Sequence, residues 1–165
     1  MEKGNECAHV VVLIDGSEGG RRRLDRLPLD RKGGRMKIYI AGSFEDQKAL
    51  RPHAESLWSL GHEVTGSWLN EVARPVYLDK ATYWRKLAIK DAAEVYEADM
   101  IILDNRRSSG GKNTEWGIGI GQHQKKLLWL VGEPSTVFHE LCDKQFATWA
   151  ECLAELKATF NKENE

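Results

Sequence analysis

The stretch Asp99–Gln122, DMIILDNRRSSGGKNTEWGIGIGQ, restricts the fold more than any other. Met100 to Leu103 is a short apolar run between two aspartates, the pattern of a buried strand in an α/β sheet. Asn105 to Asn113 follows, with the Ser and Gly content of a loop whose backbone must approach something closely. Asn113 or Thr114 can cap a helix that carries Glu115 in its first turn. A carboxylate there lies in the positive end field of the helix, which predicts that Glu115 stays ionised at neutral pH. Beside an anion-friendly loop, such a group suits a phosphate- or sugar-bearing substrate.

Two nucleotide-binding motifs are excluded. GGKN superficially matches a P-loop, but Arg106 stands where that motif needs its first Gly and Asn113 where it needs Ser or Thr. Gly117, Gly119 and Gly121 superficially suggest a dinucleotide fingerprint, but they lie beyond the loop and beyond Glu115 rather than directly after a strand. Their simpler reading is close packing of a helix on the sheet.

The chain has 165 residues, 41% apolar and 30% charged, with a formal net charge of −1. That is one ordinary globular domain, or one domain plus a tail. Its charge gives no drive toward a nucleic-acid polymer or a membrane surface. No apolar run approaches the roughly 18 residues of a membrane span, and MEKGNEC lacks the apolar core of a signal peptide. Cys7, Cys142 and Cys152 are odd in number and lack C-x-x-C spacing, which reads as reduced thiols in the cytoplasm. The five histidines are scattered, and no metal-ligand spacing is present.

Residues 1–35 are rich in Gly and Arg after a possible strand at Ala8–Ile14. They read as an N-terminal extension, flexible or loosely attached, its basic charge diluted by Asp15, Glu18, Asp25 and Asp30. The domain proper spans 36–165. KIYIA (Lys37–Ala41) is a strand and Gly42-Ser43 a turn. A helix is expected over Asp46–Leu60, ended by Gly61. Glu63–Trp68 reads as a second strand. Ala81–Ala98 reads as a helix with Trp84, Leu87, Ala88, Ala92, Val95 and Tyr96 toward the core. Strand three is Met100–Leu103, and the helix from Thr114 follows. Lys126–Val131 is strand four, Val137–Cys142 a short helix, Phe146 part of a fifth strand, and Thr148–Phe160 an amphipathic helix. This alternation predicts a five-stranded parallel sheet with helices on both faces, binding ligands beyond the carboxyl ends of its strands.

Three segments in this order, MKIYIAGSF, KDAAEVYEAD and SGGKNTEWGIG, resemble the nucleoside 2-deoxyribosyltransferases and the related nucleoside 5′-monophosphate N-glycosidases. The likeness covers roughly Met36–Val131, and residues 1–35 have no counterpart in it. It implies a flavodoxin-like fold, a homo-oligomer whose neighbouring subunits complete the site, and no cofactor. It implies cleavage of the bond between a nucleobase and a (deoxy)ribose through a glycosyl-glutamate, with transfer to another base. Glu115 matches the nucleophile and Tyr39 the tyrosine that orients it. Asp91 matches the aspartate that contacts substrate and assists the leaving base. Gly111 matches the loop glycine, while Gly42, Ser43, Phe44 and Gly110 fall where the pocket is lined. Ser109 departs from the acidic residue common in the transferases and resembles the serine that faces a 5′-phosphate in the monophosphate glycosidases. With Arg106 and Arg107 nearby, this leaves a hydrolase of (deoxy)nucleoside 5′-monophosphates as the alternative. A nucleotide-binding module without turnover is the other.

The chemistry suits these residue types. Glycosidic cleavage passes through an oxocarbenium-like state that a carboxylate beside C1′ stabilises and then traps. A second carboxyl group roughly 5–5.5 Å away is expected if the mechanism is retaining. Each residue also has a plain structural role open to it: Glu115 as a helix-capping group, Asp91 as a solvated partner of Lys90, Tyr39 as a core strand residue. Trp68 and Trp84 fit either a base-stacking or a core position, and Trp116 either lines the site or packs behind it.

Overall fold

The computed structural model describes residues 35–72, 75–123 and 125–160. Apart from Arg35, the expected N-terminal extension lies outside them. Five strands, β1 (Lys37–Ala41), β2 (Glu63–Val64), β3 (Met100–Asp104), β4 (Leu127–Val131) and β5 (Lys144–Phe146), form one sheet in the order β2-β1-β3-β4-β5. Every neighbouring pair is parallel. This is the doubly wound flavodoxin-like order, whose chain reversal falls between β1 and β3. The apolar runs of β3 and β4 are buried along their whole length, as strands covered on both faces must be.

Four helices cover the sheet: α1 (Gln47–Ser59), α2 (Lys80–Glu97), α3 (Gly110–Ile120) and α4 (Trp149–Phe160). α1 packs beside α4, and α2 beside α3. Right-handed crossovers place the two pairs on opposite faces. Local chemistry sets their ends. At the end of α1, Gly61 has φ 88°, His62 N–H reaches Leu57 O at 3.1 Å and Gly61 N–H reaches Trp58 O at 2.9 Å. That is a Schellman closure, which needs the left-handed conformation glycine adopts freely. α4 opens on a reciprocal capping box: Glu151 N–H donates to Thr148 Oγ1, and Thr148 N–H donates to the Glu151 carboxylate. Among the described residues no helix is long and apolar enough to cross a membrane.

Three expectations are corrected. The second strand ends at Val64. Trp68 sits instead in a 3-10 turn, Ser67–Asn70, and is held there by its indole N–H on Ile40 O at 2.8 Å. The helix after β3 begins at Gly110, with Ser109 as N-cap, four residues before Thr114. The inner stripe of α2 is less apolar than expected. Val95 is its one buried residue, while Trp84 and Tyr96 stand exposed. For Trp84 the reason is length. With 18 residues α2 outruns a five-residue strand; at the usual rises these are about 27 Å and 17 Å, so its first turns overhang the sheet.

Gly119 bears out the close-packing reading of the glycines: a Cβ there would lie 2.3 Å from Ile101 Cδ1. Gly117 faces open space and needs no such explanation.

Candidate active site

Tyr39, Asp91 and Glu115 come from β1, α2 and α3, the strand and two helices that meet over the sheet's chain reversal. Alternation along β1 turns Ile38 and Ile40 to one face and the Tyr39 ring to the other, under α2 and α3. Tyr39 is paired in register with Ile101 of β3 and is fully buried.

Among the described residues, four buried side-chain polar atoms lack a hydrogen-bond partner: Tyr39 Oη, Asp91 Oδ1, Glu115 Oε2 and His62 Nε2. Three of these four belong to this cluster. Buried polar atoms are nearly always paired, so three orphans in one place call for a cause. The Tyr39 hydroxyl approaches the Glu115 carboxyl closely enough to restrain its rise in pKa. Yet neither the hydroxyl nor Glu115 Oε2 completes a bond of ordinary geometry.

Electrostatics separate these groups from ordinary acids. Burial pushes Glu115 up to about 7; the Tyr39 hydroxyl opposes this, and Asp91 and Glu94 add to it. Burial likewise lifts Asp91 to about 6, against the pull of Lys90 and with help from Glu94 and Glu71. Burial and the same acids raise the Tyr39 phenol far above its usual value, so it is a neutral donor. The expectation that Glu115 is plainly ionised at neutral pH is therefore corrected. Glu115 lies in the second turn of α3, outside the reach of the dipole's positive end, and desolvation dominates. Two coupled carboxyls near neutrality share protons as a pair. One can be a carboxylate while the other is an acid.

The other predicted residues ring the same edge. Gly42 follows β1, and a Cβ there would meet Leu50 Cδ1 at 2.6 Å and the Trp68 ring at 3.4 Å, so a side chain at this position would push Leu50 aside. Ser43 is buried and Phe44 is exposed. Ser109 caps α3 without a side-chain hydrogen bond, and Gly110 and Gly111 face open space. Trp116 packs behind the site, its indole N–H on Phe138 O at 2.9 Å. Trp84 is on the overhang of α2 under the ammonium of Lys80.

Arg106 and Arg107 do not present free charge. Arg106 grips Asp104, with Nη2 2.6 Å from Oδ2, and Arg107 bridges Glu45 at 2.9 Å and Asp46 at 3.1 Å. The residue that sequence reasoning passed over is Glu94, which acts electrostatically on Tyr39, Asp91 and Glu115 together. Its three-residue spacing from Asp91, on one helical face, was the available signal.

No family model and no curated protein matches the chain. Solved structures do. The 2-deoxyribosyltransferase of the psychrotolerant bacterium Bacillus psychrosaccharolyticus superposes with a TM-score of 0.56 at 21% identity, over 73% of this chain and 95% of its own. A conserved protein from Enterococcus faecalis V583 superposes at 0.55 with 15% identity, over 74% and 98%. A CMP N-glycosidase from Clostridium botulinum overlaps more loosely, at 0.47 with 16% identity, over 74% and 98%. The chain thus shares its fold with a 2-deoxyribosyltransferase.

Proposed function

We propose that this chain is an enzyme that cleaves the N-glycosidic bond of a (deoxy)nucleoside or nucleotide and passes the sugar to another nucleobase. The observation that carries this reading is the convergence of Tyr39 Oη, Asp91 Oδ1 and Glu115 Oε2 as buried, unpartnered polar atoms. The shared fold supports it.

In this mechanism a Glu115 oxygen bonds C1′ as the C1′–N bond breaks. The bonding pair leaves with the base nitrogen, and Asp91 in its acid form supplies a proton to the base. Tyr39 donates to the carboxylate and fixes its attack. The incoming base nitrogen then displaces Glu115, which leaves as a carboxylate, and Asp91 takes back the proton that the incoming base gives up. Gly42, Ser43 and Phe44, with Ser109, Gly110 and Gly111, form the proposed walls. The productive state has Glu115 ionised and Asp91 protonated, the less populated of the two one-proton arrangements with Glu115 at about 7 and Asp91 at about 6, so activity still follows the one-proton form of the pair.

A second reading, hydrolysis of 5′-monophosphates, rests on the α3 N-terminus, where Ser109 has no capping bond and Gly110 and Gly111 are open. Against it, both nearby arginines are already matched to carboxylates. The exposed apolar side chains of α2, among them Trp84, Ile89 and Tyr96, favour a homo-oligomer.

The deciding assay follows base release from deoxynucleosides and from deoxynucleoside monophosphates, with and without an acceptor base. Release that needs an acceptor supports transfer. Release from monophosphates alone supports the hydrolase. Binding without release would leave a nucleotide-binding module, and a Glu115→Ala variant with full activity would refute the mechanism.

A further inference from the structure

We propose that Glu94 is a positioning residue of this site: its carboxylate pins the Gly66–Ser67 backbone beside the Tyr39 ring and adds its negative charge to the surroundings of the Asp91–Glu115 pair. This rests on the glycosidic reading for its purpose but not for its test.

The geometry begins on α2. Asp91 and Glu94 are three residues apart, so both project from one face of the helix. Ser67 N–H donates to Glu94 Oε2 at 2.9 Å, and Thr65 Oγ1 donates to the Glu94 carbonyl at 3.3 Å. Side chain and backbone of one helical residue thus hold both ends of the Thr65–Ser67 segment.

That segment walls the site. A Cβ on Gly66 would stand 3.6 Å from Tyr39 Cε2 and 3.3 Å from the Trp68 indole. The chain therefore passes the tyrosine ring at near-contact distance. The next residue, Trp68, is tied to Ile40 O at the end of β1. Releasing Ser67 would loosen the wall against which Tyr39 is oriented.

The charge on Glu94 acts on the site and on Lys90 alike, without an ion pair between the two side chains. Lys90 lies one turn earlier, the usual place for an i,i+4 partner. Its ammonium turns instead to both oxygens of Glu71, at 3.0 and 2.9 Å. Glu115 is faced by Tyr39 from β1 and by Asp91 and Glu94 from α2. Asp91 is faced by Lys90 and Glu94 on its own helix and by Glu71 from the loop after the 3-10 turn. In both sets Glu94 favours the protonated carboxyl.

The test uses the full chain without substrate. The side-chain carboxyls are titrated by carbon NMR in wild type, Glu94→Gln and Glu94→Ala. Glutamine keeps an oxygen for the Ser67 amide and removes the charge. In Glu94→Gln the Glu115 and Asp91 transitions should move to lower pH, by about half a unit. Ser67 amide protection should persist in Glu94→Gln and fall at least about tenfold in Glu94→Ala, where the bond is gone. Transitions that stay put in Glu94→Gln overturn the electrostatic half. Equal Ser67 protection in all three proteins overturns the pinning half. Neither result depends on turnover, so an inactive protein would sink the glycosidic reading and leave this one standing.

Discussion

Two acids at the same edge of the sheet, Asp104 buried and Glu115 partly buried, behave oppositely. Asp104 ends β3 and is 2% exposed, yet its carboxyl is held below the ordinary range. Burial pushes it up, but the Arg106 guanidinium and the Trp149 indole, 2.8 Å away, outweigh that. Glu115, one helix further on, is lifted to about 7, with burial the largest cause and Oε2 unpartnered. Burial is common to both, so burial alone does not decide whether a carboxyl is structural or poised to react. The partners decide it. Around Asp104 the matching continues: Lys112 is buried, with its ammonium on Asp104 O, Asn105 Oδ1 and Arg107 O. Around Glu115 the matching stops.

The sharpest way to break this contrast is to neutralise each acid in turn. Glu115→Gln should lower base release by at least about 10³-fold, because a glutamine cannot attack C1′. It should also raise stability at pH 8 by about 1–3 kcal/mol, since it removes a desolvated charge that the Tyr39 hydroxyl offsets only in part. Denaturant melts at that pH would read the gain. A destabilised Glu115→Gln would mean the carboxylate is structural after all. Asp104→Asn should do the reverse. It leaves the Arg106 guanidinium and the Trp149 N–H with weakened acceptors and should cost about 3 kcal/mol. Activity per folded molecule should hardly change.

Much of this architecture was written locally in the sequence. Met100–Leu103 and Leu127–Val131 are continuous apolar runs of the length a doubly covered strand has, and Gly61 stops α1 where a left-handed residue is needed. What escaped was tertiary. Gly110 and Gly111 are poor helix formers, so propensity placed the start of α3 later. The segment folds from Gly110 because Lys112 is drawn into the loop carbonyls. Glu63–Trp68 looks extended, but the reach of the Trp68 indole to Ile40 O bends it. Tyr39, Asp91 and Glu115 were readable as candidates through family resemblance. That their polar atoms are unmatched, and that Glu94 joins them, depends on three elements meeting in space.

Acid titration should separate the two regions within one molecule. Glu115 rises from its ordinary 4.5 to about 7, and Asp91 from 3.8 to about 6. A raised acid stabilises the fold fully below its unfolded value and loses that contribution as pH climbs through the folded one. Wild type should therefore lose stability between about pH 4 and 7 relative to a Glu115→Gln/Asp91→Asn double variant. Asp104 is depressed, so its contribution is present above 3.8 and disappears as pH falls further. Asp104→Asn should thus flatten the acid side of the stability profile and leave the neutral side alone. Parallel neutral-side profiles for wild type and the double variant would erase the distinction.

The smallest predicted effects test the contrast with one atom each. Trp149→Phe deletes an N–H that is matched to Asp104, and should cost about 2 kcal/mol together with the lost ring area. Tyr39→Phe deletes a hydroxyl that is buried and unmatched, so its loss should change stability by less than about 1 kcal/mol. Its effect should appear in the acid–base chemistry. The hydroxyl holds Glu115 down, so its removal should send the Glu115 transition to higher pH, opposite to Glu94→Gln. If Tyr39→Phe instead destabilises the fold as much as Trp149→Phe, the hydroxyl has a structural partner. The three orphaned atoms would then no longer mark a site prepared for a ligand.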